Sequence, residues 1–227
     1  MKKQKNIKRI VISVFTLMLS FLVLGCQPNT LKMLASYMED RYPGSDFTVD
    51  HNELVSYDRE YYITEVFYKN DTFPDGEIRA HVMFQNGQWI YKDNYMVLLK
   101  RSEIEEYMQK TAEEKFGSCK VFVNFVSSYL PSSFPVTADA DEVLDNCSVE
   151  LIIYIPPSSP KNTDYKTQTD EFRDELLNDG HANVFGTVWR IDSQPLYDNL
   201  SAPFSAAEMD KYEDVNKKVG SFGQFPY

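Results

Sequence analysis

Side chains able to do chemistry at neutral pH are few in this chain. Its 227 residues hold three Cys (Cys26, Cys119, Cys147) and three His (His51, His81, His181). Thiolate and imidazole are the usual nucleophiles, bases and soft metal ligands. No His stands four residues from another, and no Cys-x-x-Cys occurs, so zinc has no local donor set. His81 falls on the polar side of an alternating run and reads as solvated. His51, between Asp50 and Asn52, reads as a loop residue. Asp139, Asp141 and Asp145 have a spacing that hints at calcium, but Val143 and Leu144 fall where that loop needs a ligand and a glycine. Gly-x-Ser-x-Gly, phosphate-loop and dinucleotide patterns are absent. Glu105/Glu106 and Glu113/Glu114 read as solvated helix faces. No catalytic residue, metal site or cofactor is predicted.

Cys26 differs from the other thiols in what precedes it. Lys2, Lys3, Lys5, Lys8 and Arg9 open the chain without an acid, and Ile10–Leu24 follows as an apolar run broken by Ser13, Thr16 and Ser20. A basic start, an apolar middle and a small residue before the cut make an export signal. The run is short for a membrane span, which needs about 20 residues. Val23-Leu24-Gly25-Cys26 resembles the lipobox of bacterial lipoproteins of the Gram-positive type. The resemblance covers residues 1–26 and implies that Cys26 becomes the new N-terminus, carrying palmitate-class acyl chains on a diacylglycerol thioether. Two chains suffice for stable anchoring, at about 0.8 kcal/mol per buried CH₂. The expected location is the extracytoplasmic face of the cell membrane. The alternatives are an uncleaved anchor helix or an export signal with an incidental Cys.

Loss of residues 1–25 removes five basic and no acidic residues from the 23 and 34 of the whole chain. That leaves 18 against 34, a net charge of −16. Nucleic acid is excluded as a partner, since phosphate binding needs clustered Lys and Arg. Anionic lipid also repels such a body, so the lipid tails must supply the adhesion. The acidity serves solubility, or else attracts a cationic partner.

With Cys26 lipidated, Cys119 and Cys147 remain as a disulfide candidate or as two buried thiols. Export permits a bridge. Both residues open strand-like runs, 119–126 and 147–155. Parallel neighbours would bring the two strand starts together, and antiparallel pairing in full register would separate them.

The elements around these residues read as α+β. Leu31, Leu34, Ala35, Met38 and Tyr42 recur at helical spacing before Pro43-Gly44. Strand signals follow at 47–55, 61–68 and 78–84. Asn86-Gly87 is a type I′ hairpin signal that pairs Phe84 with Trp89 and Val82 with Tyr91, all four expected in the core. Ser102–Glu105 and Ser205–Glu208 read as capping boxes opening helices to Phe116 and to about Val219. A loop is expected over 128–146, strands at 148–155 and 182–191, and a helix over 170–178. Tyr57, Tyr61, Tyr62 and Tyr68 form an aromatic cluster, read as sheet core or as a carbohydrate or peptide platform.

The expected organisation is a signal peptide (1–25), a first α+β unit with the hairpin (26–100), a second unit (101–220) and a loose tail (221–227). Tyr37-Met38 and Tyr107-Met108 lie at matching places, each in a helix that precedes a Gly-Ser pair and a strand. This echo reads either as a duplication or as two ordinary junctions. Helix followed by antiparallel strands over 31–93, with Asp93-Asn94-Tyr95 after the hairpin, loosely resembles the cystatin-like and nuclear-transport-factor-like modules of Gram-positive lipoproteins. That resemblance carries no catalytic residues and implies binding or assembly. The sequence thus predicts a non-enzymatic envelope module with a protein or peptide partner at the cell surface. The alternatives are an envelope hydrolase using His51 or His181 beside a carboxylate, and a small solute-binding lipoprotein with a deep cleft.

Overall fold

Helix α1 (Thr30–Arg41) starts where the Asn29 side chain accepts the Lys32 backbone N–H at 3.2 Å, satisfying a donor that the first turn leaves free. The computed structural model describes residues 29–57, 61–160 and 163–223; the expected signal peptide (1–25) and Cys26 lie outside them. Leu34 and Met38, four residues apart, are fully buried on one face of α1.

Four antiparallel strands lie under that face: β1 (Thr48–Tyr57), β2 (Tyr61–Lys69), β3 (Ile78–Gln85) and β4 (Gln88–Asp93). Asn86 and Gly87 take φ of 52° and 80°, the left-handed pair that a type I′ turn requires. Phe84 faces Trp89 and Val82 faces Tyr91, as the sequence predicts. Their expected burial is only partly right. Val82 is fully buried and Tyr91 half-buried, while Phe84 is 45% and Trp89 37% exposed. The reason is where α1 begins: the Thr64 hydroxyl, opposite Val82 on the neighbouring strand, donates to Thr30 at 3.0 Å. Among the described residues, no helical turn precedes Thr30 to cover the strand ends beyond. In the expected tyrosine cluster, Tyr57 pairs with Tyr61 through the backbone. Tyr68 is core and packs edge-on to Phe47. The side chains of Tyr57, Tyr61 and Tyr62 lie outside the described residues.

Helix α2 (Tyr95–Phe116) is eight residues longer at its start than a helix capped by Ser102 would be. Asp93 Oδ1 accepts the Tyr95 N–H at 3.0 Å, and Tyr95 to Leu98 are all buried, so packing extends the helix back to the hairpin. The boundary expected at 100/101 therefore falls inside one helix. Gly117 (φ 71°) ends it, as predicted.

β5 (Lys120–Ser127) opens a second sheet, and β6 (Leu130–Pro131) returns to the first, pairing with Lys92 and Asp93 of β4. In the stretch expected as loop, α3 (Ala140–Asp145) forms on a full capping box between Asp139 and Glu142. β7 (Ser148–Ile155), α4 (Tyr165–Asn178) and β8 (Val184–Ile191) make a crossover in which β7 and β8 are parallel. The fold is α+β as expected, with β7–β8 the one parallel pair among the described residues. α5 (Gln194–Asp198) and α6 (Ala206–Lys211) follow. The Ser205–Glu208 box caps α6 as read, but the helix stops at Lys211. Residues 224–227 lie outside the described residues. Asn216–Phe222 is strand β9 on the open edge of β8, so no helix runs to Val219 and the start of the expected tail, Ser221 and Phe222, is strand. Phe222 sets this: it is buried and stands edge-on to Phe172 of α4 at 5.1 Å.

One buried cluster joins both sheets, from Leu34 and Val66 through Ile104 and Met108 to Leu151 and Phe172. Met38 and Met108 of the sequence echo are both fully buried, yet the sheets that follow differ, one antiparallel throughout and one mixed. A smaller cluster of Tyr154, Ile191, Tyr197 and Leu200 covers the outer face of the second sheet.

The antiparallel β5–β7 register decides the cysteine pairing. Lys120 opposes Tyr154 and Ser127 opposes Ser148, so Cys119 and Cys147 stand at opposite ends of the ladder. Eight residue steps of strand separate them by roughly 27 Å, and a bridge needs Cα atoms within about 7 Å. Both are free and buried, and the disulfide candidate is excluded in this fold.

Candidate functional site

The Asp93-Asn94-Tyr95 motif is the polar hub of the first sheet. Asp93 is fully buried at the end of β4. It accepts hydrogen bonds from the phenols of Tyr37 and Tyr42, the latter at 2.7 Å, and from the Tyr95 N–H. Arg41 Nε lies 3.2 Å from Oδ2, the oxygen that also takes the Tyr37 phenol. Burial, and then the Asp93 carboxylate, pushes both phenol pKa values far above ordinary tyrosine, so both stay protonated donors. Arg41 also donates to the carbonyls of Ser132 and Phe134, tying α1 to the segment after β6. Asn94 bridges strands by accepting from the Arg79 N–H at 2.7 Å and donating to the Glu77 carbonyl at 3.0 Å. The Tyr95 hydroxyl accepts from the Asn70 amide at 3.1 Å. The motif thus fixes the junction of α1, β4 and α2.

This hub carries an open groove of about 680 Å³ on its outer side, between α1 and β4. Tyr37 and Tyr91 stack at 5.1 Å with their planes 22° apart and form its floor. Lys32, Ser36 and Asp40 follow at four-residue spacing along α1, with Met33, Tyr37 and Arg41 as the adjacent ridge. The Arg41 guanidinium lies 5.9 Å from the Tyr37 ring centroid. An aromatic floor held by a buried carboxylate, with charges of both signs on the rim, can bind. It holds no nucleophile–base pair. None of these residues stood out in the sequence as a site; Asp93-Asn94-Tyr95 is the one signal that pointed to the place.

A second cleft of about 340 Å³ opens between the first sheet, α2 and β5, lined by Glu77, Arg79, Arg101 and Glu105 among others. Arg101 lies 3.9 Å from Glu77. Arg101–Glu77 is the cleft's one ion pair among the described residues.

Two histidines do stand beside carboxylates. His51 belongs to β1 and not to a loop; a bulge at Asp50 brings its Nδ1 to 2.8 Å from that carboxylate, while the ring stacks on Phe67. His181 is buried, 2.7 Å from Asp145, and meets the edge of Tyr107. Neither borders the groove or the cleft. His181 joins the end of α3 to the start of β8, which is a packing role. His81 is half-buried, with its ring against Tyr129 at 4.7 Å, and not solvated as expected. Asp139 caps α3 and Asp145 holds His181, so the three aspartates 139, 141 and 145 do not converge. Among the described residues, no group of three or more His, Cys, Asp or Glu could hold a metal ion. Also among them, no helix is long and apolar enough to cross a membrane.

No family model matches the chain, and no curated protein matches it. Among solved structures it is similar to a DUF5037 family protein from Ruminococcus gnavus ATCC 29149, with 13% identity and a TM-score of 0.38 over 84% of this chain and 90% of that one. A likeness of this degree carries no argument about function.

Proposed function

We propose that the chain is a lipid-anchored extracytoplasmic binding module without catalytic machinery, and that the groove between α1 and β4 takes a peptide segment of a cell-surface partner. The observation that carries the reading is the Tyr37–Tyr91 stack. A flat aromatic pair on an open surface leaves apolar area for a ligand to cover. The bond from Tyr37 to the fully buried Asp93 keeps that area in place before binding, which lowers the ordering cost. The groove follows α1 from Lys32 to Arg41, about 13 Å of helix, long enough for a few extended residues. Lys32 and Asp40 set opposite charges near its two ends, which would fix a peptide's direction. The anchor part of the reading rests on Val23-Leu24-Gly25-Cys26 behind a basic, then apolar leader.

Two measurements test these parts separately. Cys26→Ala in the full chain is expected to move the protein out of the acylated membrane fraction, as an unprocessed or released form. Normal processing and full membrane retention would defeat the anchor. A random-peptide library panned on the mature domain is expected to yield binders that Tyr91→Ala loses. Binders indifferent to Tyr91→Ala would defeat the groove.

A further inference from the structure

Three features meet at one end of the first sheet. The first is the start of α1, which sits over Thr64 and, across the ladder, Val82. The second is the β3–β4 hairpin tip just beyond Val82. There Phe84 and Trp89 face one another at 4.8 Å and stay 45% and 37% exposed. The third is Leu31, next to Thr30 in the chain and 42% exposed. The tip is also free of charge: the ten residues Val82–Tyr91 contain no Asp, Glu, Lys or Arg in a chain that is 25% charged.

From this placement we infer that the hairpin tip is a membrane-seating surface, with Phe84 and Trp89 in the interfacial zone of the leaflet that holds the lipid anchor. The inference rests on the lipid-anchored reading of Cys26. Only three residues separate Cys26 from Thr30, so the anchor lies within about 14 Å of the start of α1. The bilayer is therefore the apolar phase nearest to the exposed pair. Trp and other aromatic rings favour the headgroup boundary. A body of net charge −16 is repelled by anionic headgroups, but its uncharged tip is not. Anchor and tip together give two points of contact and hold the domain in one orientation. α1 then rises from the surface for about 18 Å. The Arg41–Asp93 hub and the far end of the Tyr37 groove stand clear of the lipid.

Trp189→Phe leaves Trp89 as the sole tryptophan and the test reads its emission. The acylated protein is reconstituted into phosphatidylcholine vesicles, with and without phosphatidylglycerol, and flotation is scored beside fluorescence. The expected result is flotation with a blue shift of Trp89 and loss of its emission to lipid brominated near the headgroup, in both compositions. Phe84→Ser is expected to lessen the quenching without changing flotation. Flotation with unshifted, unquenched Trp89 overturns the seating surface and leaves the anchor standing. Failure to float overturns both. A blue shift that grows with protein concentration in the absence of vesicles assigns the tip to a second copy of the chain and overturns the proposal.

Discussion

Asp93 shows how much one side chain can carry. Its carboxylate is fully buried, and it satisfies two phenols, one backbone N–H and the Arg41 guanidinium at once. Desolvating such a pair is costly, so its net contribution is small, but removing one partner strands the other. Asp93→Asn keeps the shape and deletes the charge, leaving Arg41 without its carboxylate. The expected loss is about 3–5 kcal/mol, read as a lower urea midpoint. Arg41→Leu added to Asp93→Asn is expected to recover part of it, because the stranded cation is gone. His81 gives a prediction of the opposite kind. Its pKa is lowered, first by burial and then by Lys92, with Glu65 acting the other way. The ring lies against Tyr129, whose hydroxyl donates to Glu65, and its Nε2 is buried with no hydrogen-bond partner among the described residues. The unfolded chain therefore takes up this proton more readily than the fold does. The contribution of His81 is whole above the ordinary value of 6.5 and declines as pH falls below it. Urea midpoints between pH 7 and 5 are expected to fall less steeply for His81→Gln than for the parent. Parallel slopes would show that the fold does not distinguish the two charge states.

Register is the quantity that matters at the level of elements, and the sequence shows it unevenly. Asn86-Gly87 fixes the β3–β4 pairing residue by residue, because a two-residue turn leaves one alignment open. The start of α2 was hidden. Ser102 and Glu105 have the capping spacing, but the helix reaches back to Tyr95 because four buried side chains and the Asp93 carboxylate hold its first turn. β9 was hidden for a related reason. Lys217 and Lys218 suit a helix, and only the waiting edge of β8 and the pocket for Phe222 make the segment a strand. The groove was legible only through Asp93-Asn94-Tyr95, since Tyr37 and Tyr91 are 54 residues apart and meet by folding. The thiols depend on register too. With β5 and β7 antiparallel, Cys119 and Cys147 cannot bridge, and burial pushes each thiol up to about 12. Native protein is expected to resist alkylation at pH 8 under non-reducing conditions, and both thiols to react once urea unfolds it. A species that stays unlabelled in urea until a reductant is added would contradict the β5–β7 register.

At the scale of the molecule, the question is whether the two sheets make one folding unit or two. Several links cross between them. α2 begins under the first sheet and ends beside the second, packing on α3, α4 and β5 as well as β3. β6 leaves the second half of the chain to pair with β4, and Arg41 holds the carbonyls of Ser132 and Phe134. Tyr129, just past β5, lies on His81 and donates to Glu65. The main buried cluster is continuous through all of these. A part that lost α2 would expose the core of the other, so neither half has a low-energy path to unfold alone. The two tryptophans make this measurable: Trp89 reports on β4 and Trp189 on β8. Trp189→Phe and Trp89→Phe each leave a single reporter on a different sheet. After correction for the small stability change each substitution brings, far-ultraviolet circular dichroism and tryptophan emission should share one urea midpoint within each variant. A first-sheet transition that runs ahead of the second would mean that the shared core couples the halves less than the helix crossing between them requires. The groove would then belong to the less stable half, and a peptide bound there would raise only that midpoint.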